Sequence, residues 1–320
     1  MRLTASELGI RPFSNDRYFG GHGACPGCGA VSMLRQVMQA VGPKAYYFIL
    51  ASCAGSYFPG EFTVCDSSIV FTVYAAGFAE AEGMSQALEL RGRTDETVVA
   101  YSGDGGAFDI GLGGLSGIAE RNANVLVVVN DNQGYQNTGG QQSGGTARGI
   151  ITKSTQPFHQ VPAAARNRKD LLEILAAHRV PYLATASAAF PRDLDAKLKT
   201  ALTYKGFKLV HLVTACLNWG FESRLAVRVA RLAVETGFHP LYEIEGGRRY
   251  RISYEPPFAP LEEFTRLQRR FQGVDLELLK RDVAERWEDL RYKAARVWPA
   301  SSILETRHSS KGATGFDGDQ

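Results

Sequence analysis

What this chain has little of removes several classes of function. No run of eighteen or more apolar residues occurs, and stretches such as Tyr46 to Ala51 and Val125 to Val129 are only strand-length, so no membrane span is expected. The N-terminus, Met-Arg-Leu-Thr-Ala-Ser-Glu-Leu-Gly, lacks an apolar signal core, so the expected location is cytoplasmic. Neither sign of charge dominates. Lys and Arg number 36 against 33 Asp and Glu, and the resulting +3 gives no electrostatic case for nucleic acid. The stripes Arg248 to Arg251 and Arg266 to Arg270 therefore read as solvated surface or subunit contact. Histidine is scarce too, with six residues. His159, His178, His211, His239 and His308 form no metal-spaced group, and His22 is either a loop filler or a diphosphate contact. Walker and Rossmann fingerprints are absent, which leaves nucleotide binding without a motif. Five cysteines are an odd count for a 320-residue chain that needs no disulfide staples. In a reducing compartment, paired cysteines read as metal ligands or redox thiols.

What is present is a soluble, core-forming composition, 44% hydrophobic and 22% charged. After an extended arm over the first twenty residues, periodicity predicts helices over 31–41, 73–90, 110–122, 169–178 and 193–204, with Asp170 capping the fourth. Between them lie buried strands over 46–51, 97–102, 125–130, 181–186 and 207–214, the last taken as the final core strand. Continuous apolar strands alternating with helices predict an α/β fold, a doubly wound parallel sheet covered on both faces. Ligands of such sheets sit beyond the carboxyl ends of the strands. Residues 133–155 are polar and aperiodic, as a functional loop or lid would be. The expected division is a main domain over 1–240, a helical C-terminal arm over 241–306 packing on this or another subunit, and a disordered tail from 307.

Two sets of residues carry chemistry. Gly103-Asp104-Gly105 and Asn130-Asp131-Asn132 both fall at predicted strand ends. A hard cation such as Mg²⁺ takes oxygen ligands and shares them with phosphate, and Asp104, Asn132 and the Gly134 carbonyl would supply three. A helix opening after Asp109 would add N–H donors for negative charge. Alternatively, both motifs are ordinary tight turns. The second set is Cys25 and Cys28 in Cys-Pro-Gly-Cys, with Cys53 and Cys216. Four thiolates suit an iron–sulfur cluster or a tetrahedral zinc. Cys65, in the apolar run Phe62-Thr-Val-Cys65, reads as a small buried hydrophobe.

From Phe19 to Phe221 the sequence resembles the thiamine diphosphate-binding beta subunit of the 2-oxoacid:ferredoxin oxidoreductases, the pyruvate:ferredoxin oxidoreductase group. The resemblance is carried by Cys25-Pro-Gly-Cys-Gly29, Gly103-Asp-Gly-Gly-Ala-Phe-Asp-Ile-Gly111, Tyr135-Gln-Asn-Thr-Gly-Gly-Gln141 and Cys216-Leu-Asn-Trp-Gly-Phe221. It implies the thiamine diphosphate-binding type of sheet. It also implies one 4Fe–4S cluster on Cys25, Cys28, Cys53 and Cys216, and Mg²⁺ held against the diphosphate by Asp104, Asn132 and Gly134. Cofactor contacts are implied at Gly27, Cys28, Gly55, Gly103, Asp104, Gly105, Gly106, Asn132, Gly134, Tyr135 and Thr138. Asn137 takes the catalytic position near the reactive carbon and the substrate. Tyr135 and Trp219 are otherwise simple pocket-wall or core aromatics.

The implied reaction is oxidative decarboxylation of a 2-oxoacid. Carbon dioxide leaves, electrons pass singly to the cluster, and coenzyme A takes the acyl group. Two parts are missing from the chain. The family's activating glutamate comes from another subunit, and no Cys-x-x-Cys-x-x-Cys-x-x-x-Cys-Pro run is present to carry electrons onward. Partners of alpha, gamma and ferredoxin-like delta type are implied, with ferredoxin or another acceptor beyond them. Ser56 to Cys65 and Gln141 to Thr146 depart from the pyruvate-type pattern and are expected to line the substrate pocket, which leaves pyruvate, phenylglyoxylate and indolepyruvate open. Two rival readings are a non-redox thiamine decarboxylase or ligase and a cofactor-free scaffold subunit.

Overall fold

The computed structural model describes residues 22–57, 65, 67–155 and 166–297. The expected N-terminal arm, most of the Ser56 to Cys65 stretch, His159 and the tail from 307 lie outside the described residues. Chain order runs α1 (Gly29–Val41), β1 (Ala45–Leu50), α2 (Ala54–Tyr57), β2 (Ser68–Thr72), α3 (Gly77–Leu90) and β3 (Thr97–Gly103). It continues with α4 (Leu112–Glu120), β4 (Leu126–Asp131), α5 (Leu171–Ala176), β5 (Tyr182–Ala186), α6 (Pro191–Leu202) and β6 (Lys208–Val213). The last elements are α7 (Ala226–Glu235), β7 (Leu241–Glu245), β8 (Arg249–Tyr254), α8 (Leu261–Thr265) and α9 (Leu276–Ala294).

The strands form one sheet in the order β2-β1-β3-β4-β6-β5-β7-β8, parallel from β2 through β5. Side chains alternate faces along a strand, and β4 shows what that does here. Leu126 and Val128 enter a core shared with Met33, Leu34 and Val37 of α1 and Leu194 and Leu198 of α6. Val127 and Val129 enter the opposite core, with Phe78 of α3, Leu115 of α4 and Leu172 of α5. All four are inaccessible to solvent, which stabilises the fold by about 1.5–3 kcal/mol per side chain. Two-sided burial is why these strands read as continuous apolar runs.

Two expectations are corrected. The strand over 207–214 is not the last of the sheet, because β7 pairs antiparallel with β5, and β8 with β7. The turn between β7 and β8 passes through Gly246 and Gly247 at φ 57° and 63°, a left-handed pair that closes a hairpin. Arg249 and Arg251, read as part of a basic stripe, stand on β8 opposite Glu245 and Glu243. An edge strand, β2, precedes the predicted 73–90 helix, which starts only at Gly77. The helix expected after Asp109 is α4, and a π-helical turn over Gly105–Ile110 leads into it. The C-terminal helices pack on this chain, where Trp287 and Leu290 of α9 bury against the face that holds Tyr242 and Ile244. No helix among the described residues is long and apolar enough to cross a membrane.

Candidate active site

Four neighbouring strands, β1, β3, β4 and β6, end along one edge of the sheet. Just beyond their carboxyl ends stand Cys53, Asp104, Asn132 and Cys216 respectively. The Cys25 to Cys28 turn closes on the same edge. Cys28 N–H donates to the Cys25 carbonyl at 3.0 Å, and Gly29 N–H to the Ala215 carbonyl at 3.3 Å, next to Cys216. Gly27 turns there at φ +83°, and a Cβ on it would meet Ser223 at 2.9 Å. Cys28 is also the N-cap of α1, where the helix dipole favours negative charge.

Asp104 is buried, with Oδ2 accepting from Gly134 N–H at 2.6 Å and from the Ser143 hydroxyl. Its other oxygen faces the Asn132 amide. In one orientation of that amide, Asn132 Oδ1 stands 3.1 Å from Asp104 Oδ1 and 2.8 Å from the Gly134 carbonyl oxygen, three oxygens with no hydrogen between them. In the same orientation Nδ2 donates to Cys53 Sγ at 3.7 Å. The flipped amide exchanges the oxygen contacts for two hydrogen bonds. Neighbouring ligand oxygens in an octahedron of about 2.1 Å bonds are about 3.0 Å apart, so the first orientation is the one a Mg²⁺-sized cation would select.

The electrostatics are asymmetric. Burial, and then the nearby Asp131, push the Asp104 carboxyl well above its usual value, so the protein alone disfavours its charge. Asp131 is equally buried, yet Arg168 at 2.7 Å and His211 at 2.9 Å outweigh burial and hold it at about 2. Asp131 is thus a neutralised strut, whereas Asp104 is the carboxylate that needs a cation.

A cleft opens between these strand ends. Gly103, Asp104, Gly105, Asn132, Gly134, Tyr135, Asn137 and Thr138 line it, as do Cys53 and Tyr74. Asn137 and Thr138 are exposed at its mouth. A Cβ on Gly105 would come within 2.2 Å of the Tyr135 ring, so only glycine lets that ring close over the π-helical turn. The Tyr135 hydroxyl donates to the Gly105 carbonyl at 3.2 Å and lies 3.3 Å from Asp109 Oδ2. Gly27, Cys28, Gly55 and Gly106 stand outside the lining. Gly106 is buried against Ser102, and nothing lies within 4 Å of a Cβ built on Gly55. The Gln141 to Thr146 stretch, expected to line a substrate pocket, instead buttresses the clamp through Ser143.

Burial first, then neighbouring cysteines with Cys28 among them, raise the Cys53 thiol to about 11 and Cys216 to about 12. Cys25 is exposed, while Cys28, Cys53 and Cys216 are half-buried. Cys65 is fully buried in the apolar core, its sulfur 3.9 Å from the Ser67 carbonyl. Among the described residues, no three His, Cys, Asp or Glu side chains converge on an ion-sized point. Tetrahedral zinc draws sulfurs to about 3.8 Å of each other, given bonds of about 2.3 Å.

Several supporting residues escaped the sequence reading. Ser143, Arg168 and His211 hold the two aspartates, Trp219 Nε1 donates to the Asn132 carbonyl at 2.9 Å, and Asn218 Nδ2 donates to the Gln136 carbonyl at 3.0 Å. His211 carried a usable signal, a lone histidine inside a continuous apolar strand.

The thiamine pyrophosphate enzyme family, by its C-terminal TPP-binding domain, matches residues 27–212. Ketoisovalerate oxidoreductase subunit VorB of Pyrococcus furiosus is 37% identical over 303 residues, covering 90% of this chain and 96% of that protein. Pyruvate synthase subunit PorB of Methanothermobacter marburgensis is 37% identical over 260 residues, covering 80% and 90%. The 2-oxoglutarate:ferredoxin oxidoreductase of Magnetococcus marinus, solved with 2-oxoglutarate, coenzyme A and succinyl-CoA, superposes with a TM-score of 0.55 at 26% identity, over 65% of this chain and 69% of that one.

Proposed function

The chain belongs to the thiamine pyrophosphate enzymes as a beta subunit of the 2-oxoacid:ferredoxin oxidoreductases, and from that membership we propose how its own residues serve the reaction. The complex performs oxidative decarboxylation of a 2-oxoacid. In this reading the chain holds thiamine diphosphate in the cleft, with Mg²⁺ on Asp104, Asn132 and the Gly134 carbonyl. Cys25, Cys28, Cys53 and Cys216 ligate one 4Fe–4S cluster beside it.

The observation that carries this reading is the Asn132 amide, which reaches the clamp oxygens with one end and the Cys53 sulfur with the other. When bound, thiamine diphosphate supplies the nucleophilic carbon and electron sink for loss of carbon dioxide, and the cluster accepts single electrons. The chain's part is to orient and to exclude water. Asp104 and Asn132 fix the diphosphate end, Tyr135 covers the Gly105 turn, and Asn137 at the mouth is placed to hydrogen-bond the substrate. Thiolates at Cys53 and Cys216 are disfavoured by burial until iron binds them, so ligation carries the deprotonation.

The substrate class extends from the names of the relatives to pyruvate and branched 2-oxoacids, with aromatic ones beside them. Coenzyme A is the acyl acceptor. Alpha-, gamma- and delta-type subunits complete the enzyme, supplying the activating glutamate and the onward electron path to ferredoxin. Because β7 and β8 belong to the sheet of the cofactor domain, the arm expected over 241–306 would begin only after Tyr254. The test is anaerobic reduction of a viologen dye by the assembled complex against a panel of 2-oxoacids. Dye reduction that needs both a 2-oxoacid and coenzyme A is expected. Release of carbon dioxide with neither dye reduction nor a coenzyme A requirement would mean a simple decarboxylase.

A further inference from the structure

Behind Cys216 lies a half-buried arginine that the proposed chemistry does not use. The Arg270 guanidinium stacks on Trp219, its Cζ 3.5 Å from the ring centroid. Trp219 is buried, and its backbone N–H donates to the Cys216 carbonyl at 2.9 Å, so the stack sits one tight turn from Cys216. Arg270 Nη1 donates to Gln133 Oε1 at 2.7 Å and Nε to Gln268 Oε1 at 2.9 Å, both neutral acceptors. Nη2 is closed off from solvent and has no hydrogen-bond partner among the described residues. No carboxylate among them pairs with Arg270, and the nearest candidate, Asp131, is already held by Arg168 and His211. A guanidinium nitrogen shut off from water and left without an acceptor is unfavourable, so the site calls for a negative charge that these side chains do not provide. Burial presses the Arg270 pKa well below its usual value, and Cys216, followed by Asp131, opposes that shift.

We propose that Arg270 is the countercharge of the iron–sulfur centre ligated by Cys216 and raises that centre's affinity for an electron. The inference rests on the reading of Cys216 as a cluster ligand. A cluster with four thiolates is anionic and gains one more negative charge on one-electron reduction from the 2+ to the 1+ state, with no bond made or broken. A fixed cation beside it favours the reduced form. At an effective dielectric of about 20, unit charges as far apart as about 12 Å shift such an equilibrium tenfold.

The experiment is an EPR-monitored redox titration of the intact complex with dithionite, following the signal that Cys216→Ser abolishes. Arg270→Gln keeps a planar hydrogen-bonding group without the charge, and Arg270→Lys keeps the charge without the planar stack. Arg270→Gln should lower the reduction equilibrium constant at least tenfold, a shift of about 59 mV for one electron, while Arg270→Lys stays closer to the wild type. An intact cluster with an unchanged midpoint in Arg270→Gln overturns the inference and leaves the ligand reading standing. A wild-type complex with no Cys216-dependent signal overturns the ligand reading and the inference together. If Arg270→Gln binds no iron, Arg270→Lys decides. Iron and a near-wild-type midpoint there support the countercharge, and loss of iron there too assigns Arg270 to packing and overturns it.

Discussion

Asn132 and Cys53 come from the ends of two strands separated in the sheet only by β3, and in one orientation of the amide Asn132 Nδ2 donates to Cys53 Sγ at 3.7 Å. The opposite end of the same amide stands among the Asp104 and Gly134 oxygens. One side chain therefore touches the proposed metal-diphosphate clamp and a proposed cluster ligand. Its preferred rotamer depends on both: a cation draws Oδ1 toward the clamp, and a thiolate draws Nδ2 toward the sulfur.

Replacing Asn132 with Leu, similar in size but without either polar end, should disturb both centres. Thiamine diphosphate affinity measured by calorimetry on the complex is expected to fall at least tenfold, and the EPR line shape of the reduced cluster to change. A change in only one of the two would confine Asn132 to that centre.

Asp104→Asn separates folding from binding. Burial already disfavours the Asp104 charge, so removing it from protein stripped of cofactor should leave the melting temperature equal or higher. Mg²⁺-dependent binding of thiamine diphosphate should nonetheless be lost, by at least about 2 kcal/mol, because a neutral amide replaces the one carboxylate in the oxygen set. A variant that melts far lower would mean that Asp104 is a structural residue.

The cysteines divide by position. Cys216→Ser should strip the cluster, seen as loss of the brown absorption and of about four irons per chain, while Cys65→Ser retains both. Cys65 is buried in the apolar core, so equal behaviour of the two variants would refute the ligand set.

Lys208 gives a pH test remote from the site. It sits buried at the opposite end of β6, and burial lowers its pKa from 10.5 to about 7. Between those values the unfolded chain binds the proton and the folded chain does not, so stability rises with pH across that window. The penalty, a few kcal/mol, is fully present below pH 7 and gone near 10.5. Lys208→Met should raise the melting temperature by several degrees at pH 7, with a gain that shrinks steadily toward pH 10. A gain independent of pH would show that the ammonium is not desolvated in the fold.

The sheet's centre was legible because β1, β3, β4 and β6 are buried on both faces, and a continuous apolar run followed by a glycine turn is what such strands require. Those same strands deliver Asp104, Asn132, Cys53 and Cys216, so the site's main residues came with the fold. The edges were harder. Ser-Ile-Val-Phe-Thr of β2 leaves Val70 and Phe71 exposed, and its pattern matches neither a buried run nor a clean alternation. In β8, Arg-Tyr-Arg-Ile-Ser-Tyr drew attention to its arginines, although Gly246-Gly247 between two alternating segments is a hairpin signal. The π-helical turn over Gly105–Ile110 has no sequence period to betray it. The roles of Ser143 and Arg270 depend on contacts made across long stretches of chain, with Asp104 and with Trp219 and Gln133, which no local pattern encodes.

The central claim is that an iron–sulfur cluster and a thiamine diphosphate share one strand-end edge of this chain. Iron, zinc and thiamine content of the anaerobically purified complex, resolved by subunit and read together with its visible absorption, tests this most directly. About four irons and one thiamine diphosphate assigned to this chain, with brown colour lost in Cys53→Ser, is the expected result. Zinc in place of iron, or thiamine diphosphate bound with no metal beyond Mg²⁺, would contradict it.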